Sequence, residues 1–373
     1  MIYLDNAATT RVCPEAAKAA YEAMTAGFGN PSSGYPFGKD AAVLVKSARE
    51  TVAAAMGCLP EELFFTSCGT EGDNWAIRGA VDVNRRKGKH IITSAIEHSA
   101  VLEPIKALAK EGYEVTYLKP DKDGHVSIDE LAAALRPDTV LVSLMLVNNE
   151  LGTLQDVAGA ARAIKAAHSP ALLHTDAVQA FLKVPFTPKE LGADLATVSG
   201  HKVHAPKGIG ALYIKKGLKL PPLLLGGGQE SGLRPGTEPT GQIAAFAAAV
   251  ESWRPEYRTQ LTQIRDYAVE TLSAIPGVEI VCRSDAPHIC AISLPGYPSE
   301  MLVRALSDAG ICVSSGSACH RGKPSHVFAA LALSKQTLMG VLRVSFSPDS
   351  TRDDIDTLRR ELLKIKETRV SLA

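Results

Sequence analysis

From Met1 to about Tyr213 the chain alternates stretches of helical periodicity with short β-branched runs that stay mostly apolar from one position to the next. A strand with one wet face alternates apolar and polar side chains. A run without alternation is buried on both faces, as in a parallel sheet covered by helices. Strands of this kind are predicted at His90 to Ser94, Val115 to Leu118, Thr139 to Val147, Ala171 to Thr175, Leu195 to Ser199 and Gly210 to Ile214. Helices are predicted at Pro14 to Ala26, Lys39 to Met56 and Glu71 to Lys87, each followed by a glycine suited to a left-handed cap, with Pro14 in a first turn. Ser127-Ile-Asp-Glu130 reads as a capping box opening a helix that reaches Leu135. The expected class is α/β, a mostly parallel sheet sandwiched by helices.

The texture changes at Leu220-Pro-Pro-Leu-Leu-Leu-Gly-Gly-Gly-Gln229, which is followed by an apolar helix from Ile243 to Trp253. After it the order becomes helix (Tyr257 to Ile275), strand (Val278 to Val281), strand (Ile289 to Leu294), helix (Ser299 to Ala309), strand, loop, strand (Leu342 to Phe346) and helix, a smaller α+β domain. The expected partition is a large domain at 12–254 and a small one built from 1–11 and 255–373. A length of 373 residues suits two such domains. With 40 Lys+Arg against 40 Asp+Glu there is no global basic field for nucleic acid or anionic lipid. No apolar run approaches the ~20 residues of a membrane span, and Asp5 and Asn6 stand where a signal peptide would be apolar, so the mature chain is expected to start near Met1. Seven cysteines without a repeating spacing fit a reduced, cytoplasmic protein.

Chemistry is concentrated in a few segments. In Ser199-Gly-His-Lys202, a lysine follows a buried strand and a tight turn. An amine with a lowered pKa at a strand's carboxyl end suits a Schiff base with an aldehyde cofactor; the alternative is a solvated loop lysine. Asp176, in His174-Thr-Asp-Ala-Val-Gln179, also ends a strand, where it is either the partner of a pyridinium nitrogen, with Gln179 near the same ring, or a helix cap. Thr66-Ser-Cys-Gly-Thr-Glu-Gly72 joins a strand to a helix and offers backbone N–H groups to a phosphate, without the spacing of a P-loop; a plain tight turn is the alternative. His98, after Glu97, sits at another strand-to-helix turn, where its flat imidazole either lies against a planar cofactor or is incidental. Cys319 sits in a polar, glycine-bearing loop beside His320 and Arg321, a setting that favours a thiolate. Cys312 is expected in the core. The set Cys312, Cys319, His320 and His326 lacks metal-site spacing, so no metal is expected. Arg343, alone in the apolar run Val341-Leu-Arg-Val-Ser345, needs a bidentate partner, either a substrate carboxylate or an internal acid.

Together with Tyr3-Leu-Asp-Asn-Ala-Ala-Thr-Thr10, Gly29-Asn-Pro-Ser-Ser33, Val147-Asn-Asn-Glu-Leu-Gly152, Leu233-Arg-Pro-Gly-Thr-Glu238 and Ser314-Ser-Gly-Ser-Ala-Cys319, these segments resemble, nearly end to end, the cysteine desulfurases. That family comprises pyridoxal 5'-phosphate enzymes of the class-five aminotransferase group, with the fold-type-one architecture and its seven-stranded sheet. The resemblance implies that Lys202 holds the cofactor covalently, His98 stacks on its ring, Asp176 pairs with its nitrogen, and Gln179 and Asn149 contact its phenolic oxygen. Gly69, Thr70, Ser199 and His201 would hold the phosphate, and Thr237 the phosphate of the neighbouring subunit in a homodimer with composite sites. Asn30 and Arg343, with Asn149, would bind substrate. Lys202, Cys319 and His98 would be the catalytic residues.

The implied reaction removes sulfur from L-cysteine, leaving L-alanine and a persulfide on Cys319. The sulfur then passes to an acceptor, in iron–sulfur cluster assembly or in tRNA thiolation; the sequence leaves this open, as it leaves selenocysteine as a further substrate. A related lyase or aminotransferase, in which Cys319 is less central, is the competing enzyme reading. Two departures from the family pattern stand out: an extra thiol, Cys68, beside the phosphate turn, and a shortened loop after Cys319.

Overall fold

The computed structural model describes residues 1–282, 284–316 and 325–368. In chain order the strands are β1 (Ile2–Tyr3), β2 (Leu63–Thr66), β3 (His90–Ser94), β4 (Glu114–Leu118), β5 (Thr139–Ser143), β6 (Leu172–Asp176), β7 (Leu195–Ser199), β8 (Gly210–Ile214), β9 (Glu279–Ile280), β10 (Ile289–Ser293), β11 (Ile311–Cys312) and β12 (Val341–Ser345). The helices are α1 (Pro14–Thr25), α2 (Pro36–Met56), α3 (Gly69–Asn84), α4 (Ser99–Lys110), α5 (Ile128–Ala134), α6 (Val157–Ala166), α7 (Pro188–Leu191), α8 (Thr240–Glu251), α9 (Glu256–Ser273), α10 (Ser299–Asp308), α11 (His326–Ala330), α12 (Lys335–Met339) and α13 (Arg352–Thr368).

The main sheet has seven strands in the order β2-β8-β7-β6-β5-β3-β4, and only β8 runs antiparallel to its neighbours. Successive strand residues point to opposite faces. Phe65, Ile92, Val142 and Ala196 accordingly pack with α2, α6 and α8, while Phe64, Ile91, Leu141 and Leu195 pack with Trp75 and Ile77 of α3 and Val101 and Ile105 of α4. Both faces are covered, which is why the strands read as unbroken apolar runs. A second core joins Leu4 to β10, β12 and helices α9, α10 and α13 around the three-stranded antiparallel sheet β12-β10-β9. Trp253 packs against both cores.

Several expected boundaries shift for local reasons. Of the three expected left-handed caps only Gly57 forms, with φ +71°; α1 ends on right-handed Ala26 and α3 on Arg85, upstream of Gly88. The run expected as one strand to Val147 keeps its ladder only to Ser143. Because β3 ends at Ser94, the chain beyond Ser143 has a neighbour strand on one side only. Leu144 and Leu146 donate to the His174 and Asp176 carbonyls at 3.1 and 2.9 Å, while the Met145 N–H turns to Glu97 Oε1 at 3.0 Å. Ser127 caps α5 as expected, its Oγ accepting the Glu130 N–H at 3.2 Å. Cys312 is half-buried in β11 rather than enclosed, because β11 pairs only with the short β1. Among the described residues no helix is long and apolar enough to cross a membrane.

Candidate active site

Four parallel strands bring the candidate residues together by ending on the same side of the sheet, where open α/β sheets hold their ligands. Asp176 is the last residue of β6. Ser199 is the last of β7, followed by the single turn that carries His201 and Lys202. β2 feeds the start of α3, and β3 feeds Glu97 and His98. Asp176, Ser199, His201, Lys202 and His98 line a cavity of 340 Å³ with Asp5, Ala7, Ala8, Cys68, Gly69, Thr70, Asp73, Asn149, Gln179, Ser314, Gly316 and Arg343 among its walls.

One end of the cavity is built for an anion. Cys68, at the N-cap of α3, is extended and no side chain caps the first turn, so the helix presents free backbone N–H groups and its positive end. Gly69 lets that turn press against the floor: a Cβ there would lie 2.9 Å from Val178 Cγ2. Ser199 Oγ is buried there with no hydrogen-bond partner. An oxyanion satisfies both the hydroxyl and the helix end. Glu71, in the same first turn, does not oppose this, because its carboxylate is already taken by Arg234 (2.9 Å) and Ser67.

Across the cavity, Asp176 accepts the Val178 N–H at 2.9 Å. Burial, reinforced by nearby Asp73, pushes its carboxyl up to about 7. A carboxyl so placed gains from a cationic partner such as a pyridinium. His98 is exposed to the cavity, and its Nδ1 accepts the Ala100 N–H at 3.1 Å, so it also caps α4. Gln179 gives its Nε2–H to the Ala7 carbonyl at 2.9 Å. Lys202 Nζ donates to the Ala7 and Ala8 carbonyls at 2.7 and 2.6 Å. Burial, then the neighbouring Arg343 charge, lowers its pKa to about 8. About a tenth of the amine is then neutral at pH 7, several hundred times the fraction for an ordinary lysine. His201 is pushed down to about 4 by burial and Lys202.

Arg343, on β12, donates from one guanidinium nitrogen to Asp5 Oδ1 at 2.7 Å and from the other to the Asn149 carbonyl at 2.8 Å. Its Nε is buried without a partner, as is Asn149 Oδ1. Of the two alternatives read from the sequence the structure shows the internal acid, Asp5, met through one nitrogen only, with Nε left over. Asn30 is exposed and Thr237 is exposed; neither lines this cavity. Cys319 lies outside the described residues.

The floor was not legible in sequence. Asp73 and Glu97 are buried, and burial pushes their carboxyls up to about 7 and about 8. Glu97 Oε1 accepts Ser94 Oγ–H at 2.6 Å and the Met145 N–H. His174, lowered to about 4 by burial, stands between Ser143 Oγ (2.9 Å) and Asp73 (3.4 Å). An acid inside a helix's apolar face, as Asp73 is in α3, was the available signal. The backbone carbonyls of Ala7 and Ala8, which hold Lys202, carry no side-chain signal at all.

A lysine amine, an unpaired buried hydroxyl at a helix start, a buried carboxyl across from it and a planar histidine fit a phosphorylated pyridine aldehyde. Among the described residues no cluster of three or more His, Cys, Asp or Glu side chains is arranged for a metal ion.

Residues 2–358 match the family described as aminotransferase class-V. A cysteine desulfurase of Trichormus azollae is 42% identical over 98% of this chain and 93% of its own. Among solved structures, a NifS-like protein superposes with a TM-score of 0.93 at 35% identity, covering 99% of this chain and all of the other. A second, titled SspA in complex with cysteine, gives 0.84 at 33% identity, covering 94% and 100%. The chain therefore belongs to the class-V aminotransferase family, within its cysteine desulfurase group.

Proposed function

We propose that this enzyme removes sulfur from L-cysteine, giving L-alanine and a persulfide on Cys319 that passes to an acceptor in iron–sulfur cluster assembly or tRNA thiolation. The observation that carries this reading is the single cavity in which Lys202, Asp176, Gln179, Ser199, the α3 start and Arg343 meet. Pyridoxal phosphate bound there supplies an aldehyde for amines and a ring that withdraws electrons from the substrate α-carbon. The α3 turn with Gly69 and Thr70, together with Ser199 and His201, would hold its phosphate, Asp176 its ring nitrogen, His98 its face, and Gln179 and Asn149 its phenolic oxygen.

Each of the chain's own groups then has a part in the proposed reaction. Lys202 supplies a free amine at neutral pH and, once displaced by substrate, takes and returns protons at the α-carbon and Cβ. The Nε edge of Arg343, with Asn149 and Asn30, binds the substrate carboxylate; Asn30 would have to be brought to the cavity by a change at its exposed turn or by assembly. The Cys319 thiolate attacks the substrate sulfur. The Cβ–S bond breaks, its electron pair stays with carbon and takes a proton, and the sulfur remains on Cys319. Ser314 and Gly316, a few residues upstream, line the cavity, and three residues of chain span at most about 11 Å.

A cytoplasmic homodimer with composite sites belongs to the same proposal, as does the partition into 12–254 and 1–11 with 255–373. Tyr21, Met24, Phe28, Tyr35 and Leu225 are exposed apolar side chains that a second copy would cover, with exposed Thr237 reaching the neighbouring phosphate. Leu4 shares its core with residues 261–365, which supports the partition.

The test is the visible spectrum of wild type and Lys202→Ala with added pyridoxal phosphate, then alanine and sulfide release from L-cysteine by wild type and Cys319→Ala. A band that needs Lys202 and turnover that needs Cys319 are expected. No band in wild type would end the cofactor assignment, and turnover surviving in Cys319→Ala would favour a lyase.

A further inference from the structure

Gln179 reaches the cavity from the turn after β6, and its amide is held from both ends. A carbonyl only accepts, so the bond to the Ala7 carbonyl at 2.9 Å fixes the nitrogen on that side. The amide oxygen then faces His288 Nε2 at 3.1 Å. An amide oxygen only accepts as well, so His288 Nε2 must carry the hydrogen, and Nδ1 is left with a lone pair. His288 is fully buried, its Nδ1 has no hydrogen-bond partner, and burial with the charges of Lys183, Arg343 and Lys202 holds its pKa well below the ordinary histidine value. The ring is therefore neutral, in one tautomer.

A primary amide has two N–H groups, and Ala7 takes one. The other is left at the cavity that Gln179 lines. We propose that His288 is a positioning residue: its Nε2–H locks the Gln179 amide so that a hydrogen-bond donor, not an acceptor, faces the bound cofactor's phenolic oxygen. The proposal rests on the cofactor reading above. Nothing in the local sequence announces it, because His288 lies 109 residues from Gln179 and acts from the strand-entry side of β10.

Removing the donor leaves the Gln179 oxygen buried and unpaired and the amide anchored through Ala7 alone, so its second N–H is no longer held in line with the ring. His288→Leu is expected to bind pyridoxal phosphate about tenfold more weakly, which corresponds to about 1.4 kcal/mol, and to shift the holoenzyme's visible band. His288→Gln, whose amide nitrogen stands as far from the backbone as the histidine Nε2, is expected to restore both. An unchanged affinity and band in His288→Leu, or no rescue by His288→Gln, would overturn the proposal. Should His288→Leu fail to fold, long-range proton–nitrogen NMR of wild-type holoenzyme decides: Nε2 protonated supports the proposal, and Nδ1 protonated defeats it. A wild type that takes up no coloured cofactor would instead defeat the cofactor reading.

Discussion

A half-buried arginine and a buried one make the same kind of contact and end in opposite states. Arg49, on α2, forms a two-pronged pair with Glu230 at 2.6 and 2.7 Å and also donates to the Leu63 carbonyl at 2.7 Å; Glu230 Oε2 accepts the Phe65 N–H as well. This cluster anchors the 220–239 segment although Glu230 and Ser231 have φ of +47° and +58°, a left-handed backbone that costs such residues about 1–3 kcal/mol. Arg343 meets Asp5 through one nitrogen only and keeps Nε unpaired. A guanidinium with most of its donors used is structural. One with a buried donor to spare is poised for a ligand, since desolvation has already been incurred and only the partner is missing.

Four measurements would break or sharpen that contrast. The largest effect is expected from Arg49→Gln, which leaves Glu230 buried without its cation and lowers unfolding free energy by about 3–5 kcal/mol in a denaturant titration. Arg343→Gln is expected to change that free energy by less than about 1 kcal/mol while lowering kcat/KM for cysteine by about a hundredfold, the loss of a charged hydrogen-bond pair. Equal stability losses in the two variants would erase the distinction.

A third test concerns the floor beneath the ligand end. Glu97 is protonated in the folded state up to about 8 but ionises near the ordinary glutamate value when unfolded. The folded chain thus holds the extra proton, and stability falls as pH rises from about 4.5 through 8, by up to ~1.4 kcal/mol per pH unit. Glu97→Gln should flatten that decline for the cofactor-free protein; an unchanged slope would assign it to Asp73 or Asp176. Asp5→Asn should have the smallest effect, a severalfold change in KM, because a charged hydrogen bond at a partly exposed carboxylate becomes a neutral one.

How much of this was legible varies by residue. The strands were readable because burial on both faces leaves an unbroken apolar signature, and Lys202, Asp176 and Arg343 stood out as charges attached to such runs. Glu97 and Asp73 were quoted in motifs without a role, since nothing local says that a carboxyl will be enclosed. His288 and the Arg49–Glu230 pair were invisible: the pair's members are 181 residues apart.

The sequence by itself determined the layered α/β class, the family and the identities of the chemical groups, because periodicity and motif spacing are local properties of the chain. Only the tertiary structure decided which atoms were left without partners. Ser199 Oγ, Asn149 Oδ1 and Arg343 Nε are buried and unpaired because of where distant strands end. Lys202 is a usable amine because it is enclosed beside Arg343, a residue 141 positions further along the chain. Proton affinity and spare hydrogen-bonding capacity are set by what surrounds a group in space, and these surroundings come from segments the chain keeps far apart.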